Sequence, residues 1–283
     1  MNIPKVSIHG GHSGEFCHHA KDQLEDLIKA YIEKGFQWAG ITEHIPPPSN
    51  ELRYQDEIEA GLDYRYLRQN FSRYMIKARS LQKKYQDRIQ LFIGFETEAY
   101  SGYISHVKTL IKEYQPDYVV GSVHHVDDIN FDYSPDVYEK AVSYAGGIIP
   151  FYARYFDIQF EMIQHLSPRV IGHIDVIRIY DPLYQKHLEM PEISKRIHRN
   201  LSLIRAKQMI LDFNLRSLLK GADEPYVSTG ILNVAKSMGI AVVPGDDSHS
   251  IDTVGANIET GIRLLQKTGI NNFWQKPRTN LWS

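Results

Sequence analysis

Seven short apolar runs, at 6–8, 38–42, 89–95, 118–123, 170–175, 209–213 and 240–243, alternate with longer amphipathic stretches, and this alternation constrains the fold more than any other feature. Strands alternating with helices build a mainly parallel sheet, and a parallel sheet closed into a barrel presents all strand ends at one rim. The ends are chemically unusual. His9, His44, Glu96, His124, His173 and Asp247 each stand at or just past the C-terminal end of a different run. Barrel enzymes keep their chemistry at that rim.

Between the runs, Leu24, Leu27, Ile28, Tyr31 and Ile32 recur at helical spacing and stop at Gly35. Segment 56–86 reads as one long helix or two, and helices are expected near 104–114, 191–207 and 226–238. Segment 138–164 is expected to be mostly helical, interrupted by Gly146-Gly147 and Pro150, and Pro46-Pro47-Pro48 forbids regular structure after His44. With no internal repeat, low-complexity tract or long linker, residues 1–283 are expected to form a single domain.

Composition narrows the partners. A formal net charge of -2 with interspersed signs gives no electrostatic reason for a nucleic-acid or membrane partner. Cys17 is the only cysteine, so no intramolecular disulfide can form, and it reads as a small buried packing residue. No apolar run approaches the roughly 20 residues that span a bilayer. A cytoplasmic protein is expected.

His9, His12, His18 and His19 crowd one loop, where the glycines at 10, 11 and 14 break the first strand. Imidazole with scattered carboxylates suits zinc, iron or manganese rather than calcium or magnesium, which prefer oxygen shells. A multinuclear transition-metal site is favoured, in which a carboxylate such as Glu96 can bridge two ions. Ions roughly 3.5–4 Å apart activate a shared water for attack on phosphorus. Rim cations complete an anion pocket, with Arg53, Arg178, Arg216 and Lys220 as candidates. Asp247 or His249 can serve as proton donor. Glu43, Glu98 and Asp246 flank candidate ligands and either bind metal or orient a ligating imidazole; His18 and His125 neighbour candidates as substrate or supporting contacts. The tyrosines between 54 and 74 read as core or interface.

The ordered set His9 and His12, Phe16-Cys17-His18-His19, Thr42-Glu43-His44, Gly94-Phe95-Glu96, Gly121-Ser122-Val123-His124, Gly172-His173-Ile174-Asp175 and Gly245-Asp246-Asp247-Ser248-His249 resembles the polymerase and histidinol phosphatase (PHP) family, with the histidinol-phosphatases as the nearest type. The resemblance runs from about Ser7 to about Gly255. It implies a distorted, TIM-like (β/α)7 barrel of the α/β class with two or three divalent ions at the C-terminal strand ends. The implied ligands are His9, His12, His19, His44, Glu96, His124, His173, Asp247 and His249, and the implied reaction is hydrolysis of L-histidinol phosphate in histidine biosynthesis. Other metal-dependent phosphoesterase activity, on diesters or nucleic acid, or a non-catalytic metal-binding module are the alternatives. Two departures stand out. Gly10 and Gly11 separate His9 from His12 where the family usually has one residue, and Leu219 and Lys220 stand where it tends to place an arginine beyond Asn214. For the substrate's cationic end, Glu98, Asp175 and Asp246 are the acids expected at the rim.

Overall fold

The computed structural model describes residues 3–270 and 273–277. Its centre is a seven-stranded sheet of parallel neighbours in the order β1 (Lys5–Ser7), β2 (Phe36–Ile41), β3 (Gln90–Glu96), β4 (Tyr118–Gly121), β7 (Val170–Ile171), β8 (Ile210–Asn214) and β9 (Ala241–Gly245). The edges approach each other. Ile8 N–H donates to the Pro244 carbonyl at 2.9 Å and Asp247 N–H to that of His9 at 2.9 Å, so the sheet curls into a nearly closed barrel. The strands are apolar along their length because helices cover the outside and side chains fill the inside. Between β4 and β7 the chain makes a small hairpin of β5 (His125–Val126) and β6 (Ile129–Asn130). Asp127 and Asp128 turn it with φ of 50° and 64°, as a two-residue hairpin turn requires.

Helix α1 (Leu24–Glu33) precedes β2; α2 (Gln55–Glu59) and α3 (Tyr64–Lys84) precede β3; and α4 (Tyr103–Tyr114) precedes β4. Segment 56–86 is therefore two helices. Asp63 caps the second by accepting from Tyr66 N–H, and its apolar face, including Phe71, Tyr74 and Ala78, packs inward. Tyr74 also donates to the carbonyls of Ile41 and Gly94, fastening α3 to β2 and β3. Helices α5 (Pro135–Tyr144) and α6 (Ile148–Leu166) part at Gly146-Gly147 as expected. Pro150 interrupts nothing. It lies in the first turn of α6, where its missing N–H has no partner to lose.

The chain continues through α7 (Tyr184–Glu189) and α8 (Pro191–Ala206) to β8, then α9 (Arg216–Leu219) and α10 (Thr229–Ser237) to β9, and ends its described course with α11 (Ile258–Lys267). The helix expected from 226 begins at Thr229 because Tyr226 is drawn into a backbone bridge with Asn214. Among the described residues no helix is long and apolar enough to cross a membrane.

Candidate metal centre

At the C-terminal strand ends, β1 opens into the histidine loop beside the loop after β9. His9 is buried, and its Nδ1 lies 2.8 Å from Asp212 Oδ2, a carboxylate in the interior of β8. Gly245 on the neighbouring strand permits this, because a Cβ there would overlap the Asp212 carboxylate. Asn214 Nδ2 donates to Asp212 at 3.0 Å and to Asp247 Oδ2 at 3.1 Å, coupling the two strand ends. Asp247 has φ of 47°, a left-handed conformation costing of order 1 kcal/mol that turns its carboxylate toward the cluster. The two-glycine spacing is accommodated by Gly11, at φ 76°. The bulge delivers His12, whose Nε2 is 3.4 Å from Asp247 Oδ1 and 3.8 Å from Glu96 Oε2.

Glu96 ends β3 at the centre, and its two oxygens face different imidazoles. Oε2 is 3.1 Å from His9 Nε2, 3.4 Å from His44 Nδ1 and 3.8 Å from His12 Nε2. Oε1 is 3.1 Å from His124 Nε2 and 2.9 Å from His173 Nε2. Groups with metal-binding spacing include His9, His12 and Asp247; His12, His44 and Glu96; Glu96, His124 and His173; and His19, His44 and His249 with Cys17. Behind them stand acceptors that fix ring orientation: Glu98 for His44 at 2.6 Å, Asp132 for His124 at 2.8 Å, and the Asp247 carbonyl for His249 at 3.0 Å. Tyr54, from the loop before α2, donates to Glu98.

The electrostatics call for cations. Burial disfavours the imidazolium of His9, yet Glu96, Asp247 and Asp212 outweigh it and raise its pKa well above the ordinary value. His44 and His124 are raised likewise, against burial, by Glu98 and Glu96 and, for His124, Asp132. Glu96 is held well below the carboxylate range, burial notwithstanding, by His9, His124 and His44. By contrast, burial and neighbouring positive charge lower His12 and His249, leaving neutral imidazoles of the form that binds metal. Both ring nitrogens of His12 and Nε2 of His9 are buried without a hydrogen bond. Buried polar atoms are otherwise paired almost without exception. This donor set fits divalent ions.

The cluster opens into a cavity of about 270 Å³ whose wall includes His19, His44, Tyr54, Glu96, His124, Asn130, Asp132, Tyr133, His173, Arg216, Lys220, Tyr226, Asp247 and His249. Of the four expected cations, Arg216 and Lys220 line it. Arg53 does not. Its guanidinium donates to the carbonyls of Asn50 and Leu62, on either side of α2. Arg178 is buried elsewhere, between the Tyr184 and Tyr226 rings, bonded to Asp175 and the carbonyls of Glu224 and Pro225. The acids expected at the rim are also committed. Glu98 serves His44 and Tyr54, Asp175 accepts from Ser228 N–H and Arg178, and Asp246 accepts from Ser7, Tyr31 and Gly255 N–H. Glu43 accepts from the amide and hydroxyl of Ser13, and burial pushes its carboxyl up to about 8. His125 is buried with Nδ1 on the Glu98 carbonyl, whereas His18 is exposed.

Asp212 and Asp132 escaped the sequence reading, as did the pocket-facing positions of Tyr54 and Tyr226. Asp212 leaves a legible trace, a lone carboxylate inside an otherwise apolar run. Asp212→Ala should lower metal affinity at least about tenfold by freeing the His9 ring, measured by competition with a chromogenic chelator. Affinity equal to wild type would reject this orienting role.

The sequence profile described as PHP domain matches residues 10–216. The chain belongs to the PHP family. A Schizosaccharomyces pombe protein named a probable histidinol-phosphatase is 34% identical over 95% of this chain and 88% of its own length. The PHP barrel also superposes on a candidate histidinol phosphatase from Listeria monocytogenes, at TM-score 0.78 and 25% identity over 90% of this chain and 99% of the other. Histidinol phosphate phosphatase from Lactococcus lactis, solved with zinc, L-histidinol and phosphate, gives TM-score 0.71 at 20% identity over 95% of each chain. At that identity the last likeness speaks for the fold.

Proposed function

We propose that this PHP chain is a metal-dependent phosphomonoesterase that hydrolyses L-histidinol phosphate to L-histidinol and phosphate. One observation carries the proposal: Glu96 divides its two oxygens between two imidazole sets at the floor of a cavity that also presents Arg216, Lys220 and Asp132. The naming of the S. pombe relative supports the choice of substrate. His9, His12, His19, His44, Glu96, His124, His173, Asp247 and His249 would hold two or three ions, with zinc, iron and manganese all suited to this donor set. When bound, such ions supply positive charge to the phosphoryl oxygens and make water acidic enough to attack phosphorus.

The chain's own groups do the rest. Arg216 is braced by its amide on Asn214 Oδ1 at 3.1 Å and by Nη1 on the Asp247 carbonyl at 2.9 Å, which leaves further N–H groups for phosphate oxygens. Lys220 adds charge at the mouth; burial lowers its pKa while Asp132 opposes the shift. Asp247 is kept ionised, its pKa lowered to about 2 because His9, Arg216 and His12 overcome burial. Asp247 and His249, hydrogen-bonded to the Asp247 carbonyl, are the two groups placed to pass a proton to the leaving oxygen. We extend the proposal to a cytoplasmic setting, where a lone thiol stays reduced, and to histidine biosynthesis. We also take residues 1–283 as one catalytic unit and expect no nucleic-acid partner.

Assay of the metal-supplied protein against phosphomonoesters and a diester tests this reading. Release of phosphate from histidinol phosphate is expected, and cleavage of the diester alone would overturn it. Arg216→Ala should raise KM for histidinol phosphate at least about tenfold, the loss of one charge-assisted contact, whereas Arg53→Ala should leave KM within twofold.

A further inference from the structure

We infer that Cys17 is a metal ligand, its thiolate completing a four-ligand site with His19, His44 and His249 on the outer side of the cluster. The inference rests on the cluster holding divalent ions as proposed above, and it adds a donor that the nine nitrogen and oxygen ligands do not include. Cys17 is 7% exposed, and its Sγ lies 3.2 Å from His19 Nε2. One ligand atom from each of the four residues falls within 4.8 Å of every other. Tetrahedral zinc with sulfur at about 2.3 Å and nitrogen at about 2.0 Å needs ligand-to-ligand separations of about 3.3–3.5 Å, close to the spacing this group already has.

The surroundings support the same assignment independently of the thiol. His44 Nδ1 is taken by Glu98 at 2.6 Å and His249 Nδ1 by the Asp247 carbonyl at 3.0 Å, so Nε2 is the atom each presents. His12, fully buried, stacks on His249 at 4.3 Å between centroids and lies tilted against His44 at 4.6 Å, which holds both rings in place from the inner side. The backbone also holds the loop in place: Cys17 N–H donates to the Ser13 carbonyl at 2.8 Å and Lys21 N–H to that of His249 at 2.7 Å.

With the thiolate as a fourth protein ligand, this ion would tie the histidine loop to the β9 loop beside the positions around Glu96. A soft thiolate also biases it toward zinc over manganese. Binding releases the thiol proton to solvent.

Cobalt(II) loaded into the full chain tests the inference, because cobalt-bound thiolate gives a near-ultraviolet charge-transfer band and Cys17 is the only cysteine. The band is expected in wild type and absent in Cys17→Ser, whose metal content should fall by one ion per chain. A thiol reagent should modify the wild-type protein only after chelation. A cobalt-loaded wild type without the band, or a thiol equally reactive before and after chelation, overturns the inference whether or not the variant folds. Histidinol phosphate turnover on the same preparations reports on the phosphatase separately: turnover without the band rejects the thiolate ligand alone.

Discussion

Glu96→Gln is expected to lower kcat for histidinol phosphate at least a thousandfold, about 4 kcal/mol of transition-state stabilisation, and to reduce bound metal. The substitution keeps the shape and removes the one charge that both halves of the cluster share. Oε2 faces His9, His44 and His12 while Oε1 faces His124 and His173, so an amide would turn an N–H toward one set whichever way it lay. Two ions held close together there would repel each other, and a carboxylate between them would offset that repulsion. The metal-free protein offers a second readout. Glu96 helps hold His9, His44 and His124 protonated against burial, so their pKa values should fall in the variant, which histidine NMR titration would register. Activity within tenfold of wild type at full metal content would rule out a bridging role.

The strand ends were legible because a parallel barrel delivers the C-terminal ends of its strands, and the first loop residues past them, to one rim. That places His9, His44, Glu96, His124, His173 and Asp247 together from sequence order alone: Glu96 ends β3, and the others stand two or three residues beyond their strands. His12 followed from the glycines, whose conformational freedom Gly11 uses at φ 76°. Long side chains were less legible. Arg53 and Arg178 lie near the rim in sequence, but a guanidinium reaches several ångströms in any direction, and both fold back onto backbone carbonyls. The hairpin β5–β6 was hidden because strands of two residues carry no alternation to read. It is this hairpin that brings Asn130, Asp132 and Tyr133 over the cavity.

Catalytic efficiency for histidinol phosphate should exceed that for p-nitrophenyl phosphate at least about a hundredfold, roughly 2.7 kcal/mol of differential transition-state binding. Both esters present the same phosphoryl group to Arg216, Lys220 and the cluster, so the difference must come from the alcohol. Histidinol carries an ammonium and an imidazole. With Glu98, Asp175 and Asp246 engaged elsewhere and Glu96 and Asp247 among the proposed metal-holding groups, Asp132, just past the hairpin, is the remaining acid on the cavity wall, which Tyr54, Tyr133 and Tyr226 also line. Burial disfavours its charge, but His124 outweighs burial and holds its pKa well below the ordinary value, so it is ionised at neutral pH. A neutral aryl group would forgo the ion pair that the substrate's ammonium can make with this carboxylate, whose own partners are His124 and Asn130. Because Asp132 also orients His124 at 2.8 Å, Asp132→Asn should slow both substrates, yet the shared loss cancels in the ratio of efficiencies. The ratio itself should shrink at least about tenfold, since a charge-assisted contact is lost from one substrate only. Side-by-side steady-state kinetics at one pH and metal load measure both quantities. Equal efficiencies in the wild type would reject histidinol phosphate as the dedicated substrate, and an unchanged ratio in Asp132→Asn would place recognition of the cation on other residues.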